Sequence, residues 1–140
     1  MTYDPNNPFA KILRGELPAH RVYEDDRTFA FMDLMPQAEG HTLVIPKAAA
    51  MNLFDLEASE LAATIQTTRL VAAAVKKAFS AEGVMIAQLN GAAAGQSVFH
   101  LHFHILPRND GVDLRMHVRN MADPKVLSEH AQRIRSCLPT

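Results

Sequence analysis

Val98-Phe99-His100-Leu101-His102-Phe103-His104-Ile105-Leu106 alternates imidazoles with large apolar side chains. Successive side chains of an extended strand point to opposite faces. The stretch therefore reads as a β-strand running from Val98 to Leu106. His100, His102 and His104 share one face, and Leu101, Phe103 and Ile105 share the other, where they can enter a core.

Working outward, Val84 to Leu89 is a second β-rich run. It is joined to the histidine strand by Asn90-Gly91-Ala92-Ala93-Ala94-Gly95-Gln96-Ser97, a connection short enough for a hairpin. Before it, Leu61, Ile65, Thr68, Ala72, Val75 and Phe79 recur every three or four residues, and they predict one amphipathic helix from about Ser59 to Phe79, ended by Gly83. Further upstream, His41 to Ile45, Thr28 to Met32 and Arg21 to Glu24 read as strands, the last two joined at Asp25-Asp26-Arg27. A short helix over Phe9 to Arg14 is stopped by Gly15 and Pro18. Downstream, Asp123-Pro124 supplies a cap and a proline first turn for a helix marked by Leu127, Ala131, Ile134 and Leu138. Strands interrupted by one long helix predict an α+β domain with a mainly antiparallel sheet.

The 140 residues suit one compact domain, 1–140, with neither internal repeat nor long linker. A formal charge of −1 excludes the broad basic surface of a nucleic-acid binder. The longest purely apolar run, Leu70 to Val75, is too short to span a bilayer, and the N-terminus lacks the pattern of a signal peptide. The single cysteine, Cys137, cannot form an internal disulfide, so a reducing, cytoplasmic setting is expected.

Three imidazoles on one face leave two chemical readings. A metal site is the first, because histidine is a common zinc ligand. Same-face neighbours on a strand lie about 7 Å apart and the outer pair about 13 Å apart, so a single three-histidine ion would need a strong bend. The second is nucleophilic catalysis. Neutral imidazole is a good nucleophile near neutral pH, and flanking histidines can hold its tautomer, stabilise developing charge or donate a proton. Spacing does not assign those roles. The remaining histidines, His20, His41, His117 and His130, read as ordinary structural residues.

The loop ahead of the triplet favours phosphate. Its small residues let the backbone approach a ligand closely and present N–H groups to an anion, while Gln96 and Ser97 add side-chain donors.

Gly95-Gln96-Ser97-Val98-Phe99 followed by His100-Leu101-His102-Phe103-His104-Ile105-Leu106 resembles the signature of the histidine-triad (HIT) hydrolases. The resemblance continues collinearly over residues 7–108, through Phe9 to Leu17, Tyr23 to Asp26, Asp33 to Gln37, and Gly40 to Lys47. It leaves 109–140 as a C-terminal extension. It implies an α+β fold with a five-stranded antiparallel sheet, usually paired as a homodimer. It also implies nucleotide chemistry through a covalent nucleotidyl intermediate on His102, with His100 and His104 as the flanking triad members. By position, Gln96 and Ser97 would contact phosphate or leaving group. Asp33 would accept from ribose hydroxyls, and Leu34, Phe9, Ile12 and Phe31 would line the base pocket. Many relatives have a polar residue where this chain has Leu89, and Asn90 or Gln88 would then serve at that place.

Two other departures concern metal. Many relatives carry Cys-x-x-Cys where this chain has Asn7-Pro8-Phe9-Ala10, and a histidine where it has Ala49. In zinc-containing members those residues help form a structural site, so their joint loss implies no metal here. The resulting expectation is a cofactor-free nucleotide phosphoramidase or nucleotidyl hydrolase acting on purine nucleotides. The alternatives are a dinucleoside polyphosphate hydrolase, with Arg108, Arg115 and Arg119 near extra phosphates, and a non-catalytic nucleotide sensor or partner-binding protein.

Overall fold

Asp25 closes the first hairpin. Its Oδ1 accepts from the N–H groups of Arg27 and Thr28 and from the Thr28 hydroxyl. That turn folds β1 (Arg21–Glu24) back onto β2 (Thr28–Met32). In the computed structural model, which describes residues 2–114 and 120–139, β2 pairs with β3 (Thr42–Pro46), β3 with β5 (Phe103–Arg108), and β5 with β4 (Gly83–Gln88). Every pairing is antiparallel, and the order is β1-β2-β3-β5-β4. The α+β architecture with a five-stranded antiparallel sheet is the one expected.

Both faces of the central strands are covered, so every residue of β2 and β3 is buried. On one face Ala30, Met32, Val44, Phe103 and Ile105 pack under α2 (Ala58–Ala78) and α3 (Pro124–Arg135). On the other, Phe29, Phe31, Leu43 and Ile45 meet Phe9, Ile12 and Leu13 of α1 (Pro8–Leu13). Asn7 starts α1 by accepting from the N–H groups of Phe9 and Ala10, and Pro8 occupies the first turn.

Two expectations are corrected. The buried stripe of α2 runs through Thr64, Thr67, Thr68, Val71, Ala72, Ala74 and Val75, while Ile65 is 45% exposed. The threonines are acceptable inside because their hydroxyls are satisfied: Thr64 donates to Glu60 O, Thr68 to Thr64 O, and Thr67 pairs with Thr28. The second correction is the histidine strand. Regular pairing begins at Phe103, so only His104 of the three lies within β5. His100 and His102 sit in an irregular segment, where Leu101 N–H donates to Ala50 O instead of a neighbouring strand. The apolar half of the alternation holds, since Leu101, Phe103 and Ile105 are all buried in the main core.

Gly40 lies at the approach of β3 with φ +84°, and a Cβ there would come within 2.7 Å of the Phe79 ring. Among the described residues no helix is long and apolar enough to cross a membrane. Arg115, His117 and Arg119 lie outside the described residues.

Candidate active site

Leu43 pairs with His104 across the β3–β5 ladder, and directly opposed residues share a face. His104 therefore lies on the α1 side of the sheet. Phe9 reaches the same side from α1 and sets its ring edge-on against His102, with centroids 5.0 Å apart. The His102 and His104 rings lie 4.9 Å apart. His100 is fully buried and His102 nearly so.

Hydrogen-bond partners fix the tautomer of each ring, because a carbonyl oxygen only accepts and a backbone N–H only donates. His100 Nε2 lies 2.8 Å from Pro46 O, so it carries the proton. Nδ1 of the neutral ring then accepts from the Tyr3 hydroxyl at 2.6 Å. Both nitrogens of His100 are thereby occupied. His102 Nδ1 lies 2.7 Å from the His100 carbonyl oxygen and donates to it, which leaves the lone pair on Nε2.

His104 is set through a fourth histidine. Gln37 N–H donates to His41 Nδ1 at 3.1 Å, which places the His41 proton on Nε2. That N–H donates to His104 Nδ1 at 2.9 Å. The His104 proton is consequently on Nε2, available to a ligand oxygen. Burial keeps all four rings neutral: it pushes His41 down to about 3 and His104 down to about 4, helped by the neighbouring rings. It lowers His100 and His102 as well, each partly offset by its bond to a carbonyl.

Asp33 follows β2. Its Oδ1 accepts from Met35 N–H, and its Oδ2 is 3.5 Å from His41 Nε2. Burial pushes its carboxyl up to about 6, with the Met35 bond pulling the other way. Since His41 is neutral, the approach is not an ion pair. Asp33, His41 and His104 bring potential ligand atoms within 4.8 Å of one another. They do not offer three free lone pairs, however. His41 Nε2 bears the proton, and moving it to Nδ1 would oppose it to Gln37 N–H.

Gln96 and Asn90 are engaged by bonds within the loop and to the Met51–Leu53 segment. Gln96 is buried; its Oε1 accepts from Gly91 N–H and its Nε2 donates to Met51 O and Val98 O. Asn90 and Gln88 exchange side-chain bonds, and Asn90 Oδ1 also accepts from Leu53 N–H. Ser97 is exposed. Phe9, Ile12 and Phe31 belong to the α1-side cluster, and Phe9 and Phe31 meet edge to face at 5.3 Å. Leu34 is 37% exposed, beside Asp33 in the chain.

Sequence spacing did not point to Tyr3 or His41. Tyr3 is 97 residues from His100, and the ordinary structural reading of His41 overlooked its partner, which only the β3–β5 register brings near. His130, read the same way, is buried edge-on against Phe79, the residue that caps α2.

The HIT domain model matches residues 14–111. A HIT-like protein of Borreliella burgdorferi is 42% identical over 107 residues, covering 74% of this chain and 77% of that one. The adenylylsulfatase HINT3 of Arabidopsis thaliana is 40% identical over 102 residues, covering 73% of this chain and 52% of that protein. Among solved structures, a HIT-like protein of Bartonella henselae described as involved in cell-cycle regulation superposes with TM-score 0.95. It is 48% identical, with 99% of this chain and 100% of that chain covered. A zinc-bound histidine triad family protein of Mycobacterium smegmatis is 33% identical with TM-score 0.81, covering 94% of this chain and 92% of that one.

The cysteine and histidine positions by which zinc-containing members hold their metal do not fit that ion here. Ala10 and Ala49 have no donor atom, and Asn7 Oδ1 is occupied in capping α1. The triad, its collinear context and the shared fold lead to one assignment: the chain belongs to the HIT family.

Proposed function

We propose that the protein is a metal-independent nucleotide phosphoramidase or nucleotidyl hydrolase acting at the α-phosphorus of purine nucleotides. The observation that carries this reading is the His102 ring. Its Nδ1–H is held by the His100 carbonyl oxygen, so Nε2 has a lone pair fixed in direction. Any buried ring needs its N–H satisfied, but whereas His100 is bonded at both nitrogens, among the described residues His102 is bonded through Nδ1 alone.

In the first step His102 Nε2 attacks phosphorus. The bond from phosphorus to the leaving group breaks, and its electron pair goes to that group; a leaving amine takes its proton from water. The ring becomes a phosphorylated imidazolium, whose positive charge faces the His100 carbonyl oxygen. The His104 Nε2–H serves as a hydrogen-bond donor to a phosphoryl oxygen. It is not the proton source, because a neutral imidazole that gave up this proton would become an anion in a buried site. In the second step water attacks phosphorus, the P–N bond breaks back to Nε2, and the nucleoside monophosphate leaves with release of a proton.

Asp33 is suited to accept from ribose hydroxyls, and Phe9, Ile12, Phe31 and Leu34 supply apolar surface for a base. Ser97 and Gln96 border the triad, with Ser97 free to meet phosphate and Gln96 and Asn90 shaping the loop. HINT3, by its name, acts on an adenylyl compound, which supports adenylyl substrates over polyphosphate-bridged dinucleotides. A homodimer is supported by β4, an edge strand that exposes Met85 and Ile86. The lone cysteine fits a cytoplasmic setting.

Mixing the protein with an adenosine phosphoramidate and measuring intact mass tests the reading. A transient adenylylated protein with turnover is expected, and neither is expected in His102→Ala. Binding without adduct or turnover would favour the nucleotide sensor instead.

A further inference from the structure

The irregular segment that carries His100 and His102 lies outside the sheet ladder, yet His102 depends on a carbonyl oxygen from within it. That carbonyl shares a peptide plane with Leu101 N–H, which donates to Ala50 O, and the other end of that plane is held through the His100 side chain. The His100 side chain is anchored at both nitrogens, to Pro46 O on one side and to the Tyr3 hydroxyl on the other.

The chain immediately after Tyr3 is fixed by local bonds. Asp4 forms a turn in which Asn6 N–H donates to its carboxylate, and Asn7 donates to its carbonyl through both N–H and Nδ2. Arg14 Nη1 donates to Pro5 O. Asn7 also caps α1, and so it fixes Phe9 in the same short stretch. The segment thus touches both rings: Tyr3 meets His100 edge-on with centroids 5.7 Å apart, and Phe9 meets His102.

We propose that Tyr3 is a positioning residue for His102, acting through His100. Its hydroxyl occupies His100 Nδ1, which keeps the ring seated on Pro46 O and the His100 carbonyl aimed at His102 Nδ1–H. In Tyr3→Phe the ring contact survives, but a buried lone pair loses its donor. The His100 ring then has reason to move, and the nucleophile loses its single tautomer. The assignment rests on the nucleotidyl-transfer reading only for its effect on rate, since the tautomer is a property of the free protein.

The test is nitrogen NMR of the imidazole rings in ligand-free wild type and Tyr3→Phe, each with its amide spectrum to show the sheet intact. Wild type is expected to show His100 protonated at Nε2 and His102 at Nδ1. Tyr3→Phe is expected to show His102 averaged between tautomers. In steady-state assays with an adenosine phosphoramidate its kcat is expected to fall about tenfold, with KM nearly unchanged. A His102 pattern identical in both proteins overturns the proposal whatever the rates do. If wild type has the stated tautomers but turns over no nucleotide, the functional reading fails and the positioning result still stands.

Discussion

His41 Nε2 lies 2.9 Å from His104 Nδ1, and the bond runs in one direction because Gln37 N–H already occupies the other nitrogen of His41. Gln37 and His41, four residues apart and more than sixty residues before His104, thus decide that His104 presents an N–H, not a lone pair. In His41→Asn the shorter side chain loses His104 Nδ1, and the His104 tautomer is no longer imposed. The expected result is a fall in kcat of roughly ten- to a hundredfold with a smaller change in KM, measured by steady-state kinetics on an adenosine phosphoramidate.

The buried rings make stability depend on pH. His41 and His104 are lowered from 6.5 to about 3 and about 4, and His100 and His102 are lowered too. The unfolded chain binds these protons first, so their contribution is intact above about 6.5 and is lost as pH falls toward 4. Asp33 works in the opposite sense: raised from 3.8 to about 6, it favours the folded state as pH falls through that range. Four histidines outweigh one carboxyl, so urea midpoints are expected to drop steadily from pH 7 to pH 4.5. His41→Asn should flatten that slope, and Asp33→Asn should steepen it.

Gly40 meets two demands at once, a φ of +84° and a Phe79 ring 2.7 Å from where a Cβ would stand. Phe79 has little room to yield, with His130 edge-on at 5.0 Å and the Arg133 guanidinium 4.8 Å from its centroid. Gly40→Ala is expected to lower unfolding free energy by about 2 kcal/mol in urea titrations, combining left-handed strain with overpacking.

Gln96 and Ser97 are adjacent but should behave differently. Gln96→Ala leaves Gly91 N–H, Met51 O and Val98 O without their partner, at an expected cost of about 1–3 kcal/mol. Ser97 is exposed, so Ser97→Ala should leave stability within about 0.5 kcal/mol. A slower turnover for Ser97→Ala at unchanged stability is the outcome that places its hydroxyl on the substrate. Paired urea and kinetic measurements separate the two.

The elements were legible because their signals are local. Asp25 at the hairpin turn and Asp123 before Pro124 mark boundaries that the structure keeps, whereas the Asn7 cap that starts α1 one residue earlier than expected was not read. The buried face of α2 was less legible, since threonine is polar in sequence yet apolar in effect once Thr64 and Thr68 bond to their own helix. The start of β5 was missed for a related reason: alternation continues through Leu101, although its N–H turns to Ala50. The triplet itself announced the site. What selects among the three rings is long-range, supplied by Tyr3, Pro46 and His41, and no spacing within 98–106 could reveal it.

The central claim is that His102 forms a bond to phosphorus before water does. Its most direct test is the stereochemistry of hydrolysis of an adenosine phosphoramidothioate chiral at phosphorus, run in isotopically labelled water. Two successive in-line displacements, first by His102 and then by water, give overall retention of configuration, and that is the expected result. Inversion would mean that water attacks directly, and would contradict the role assigned to His102.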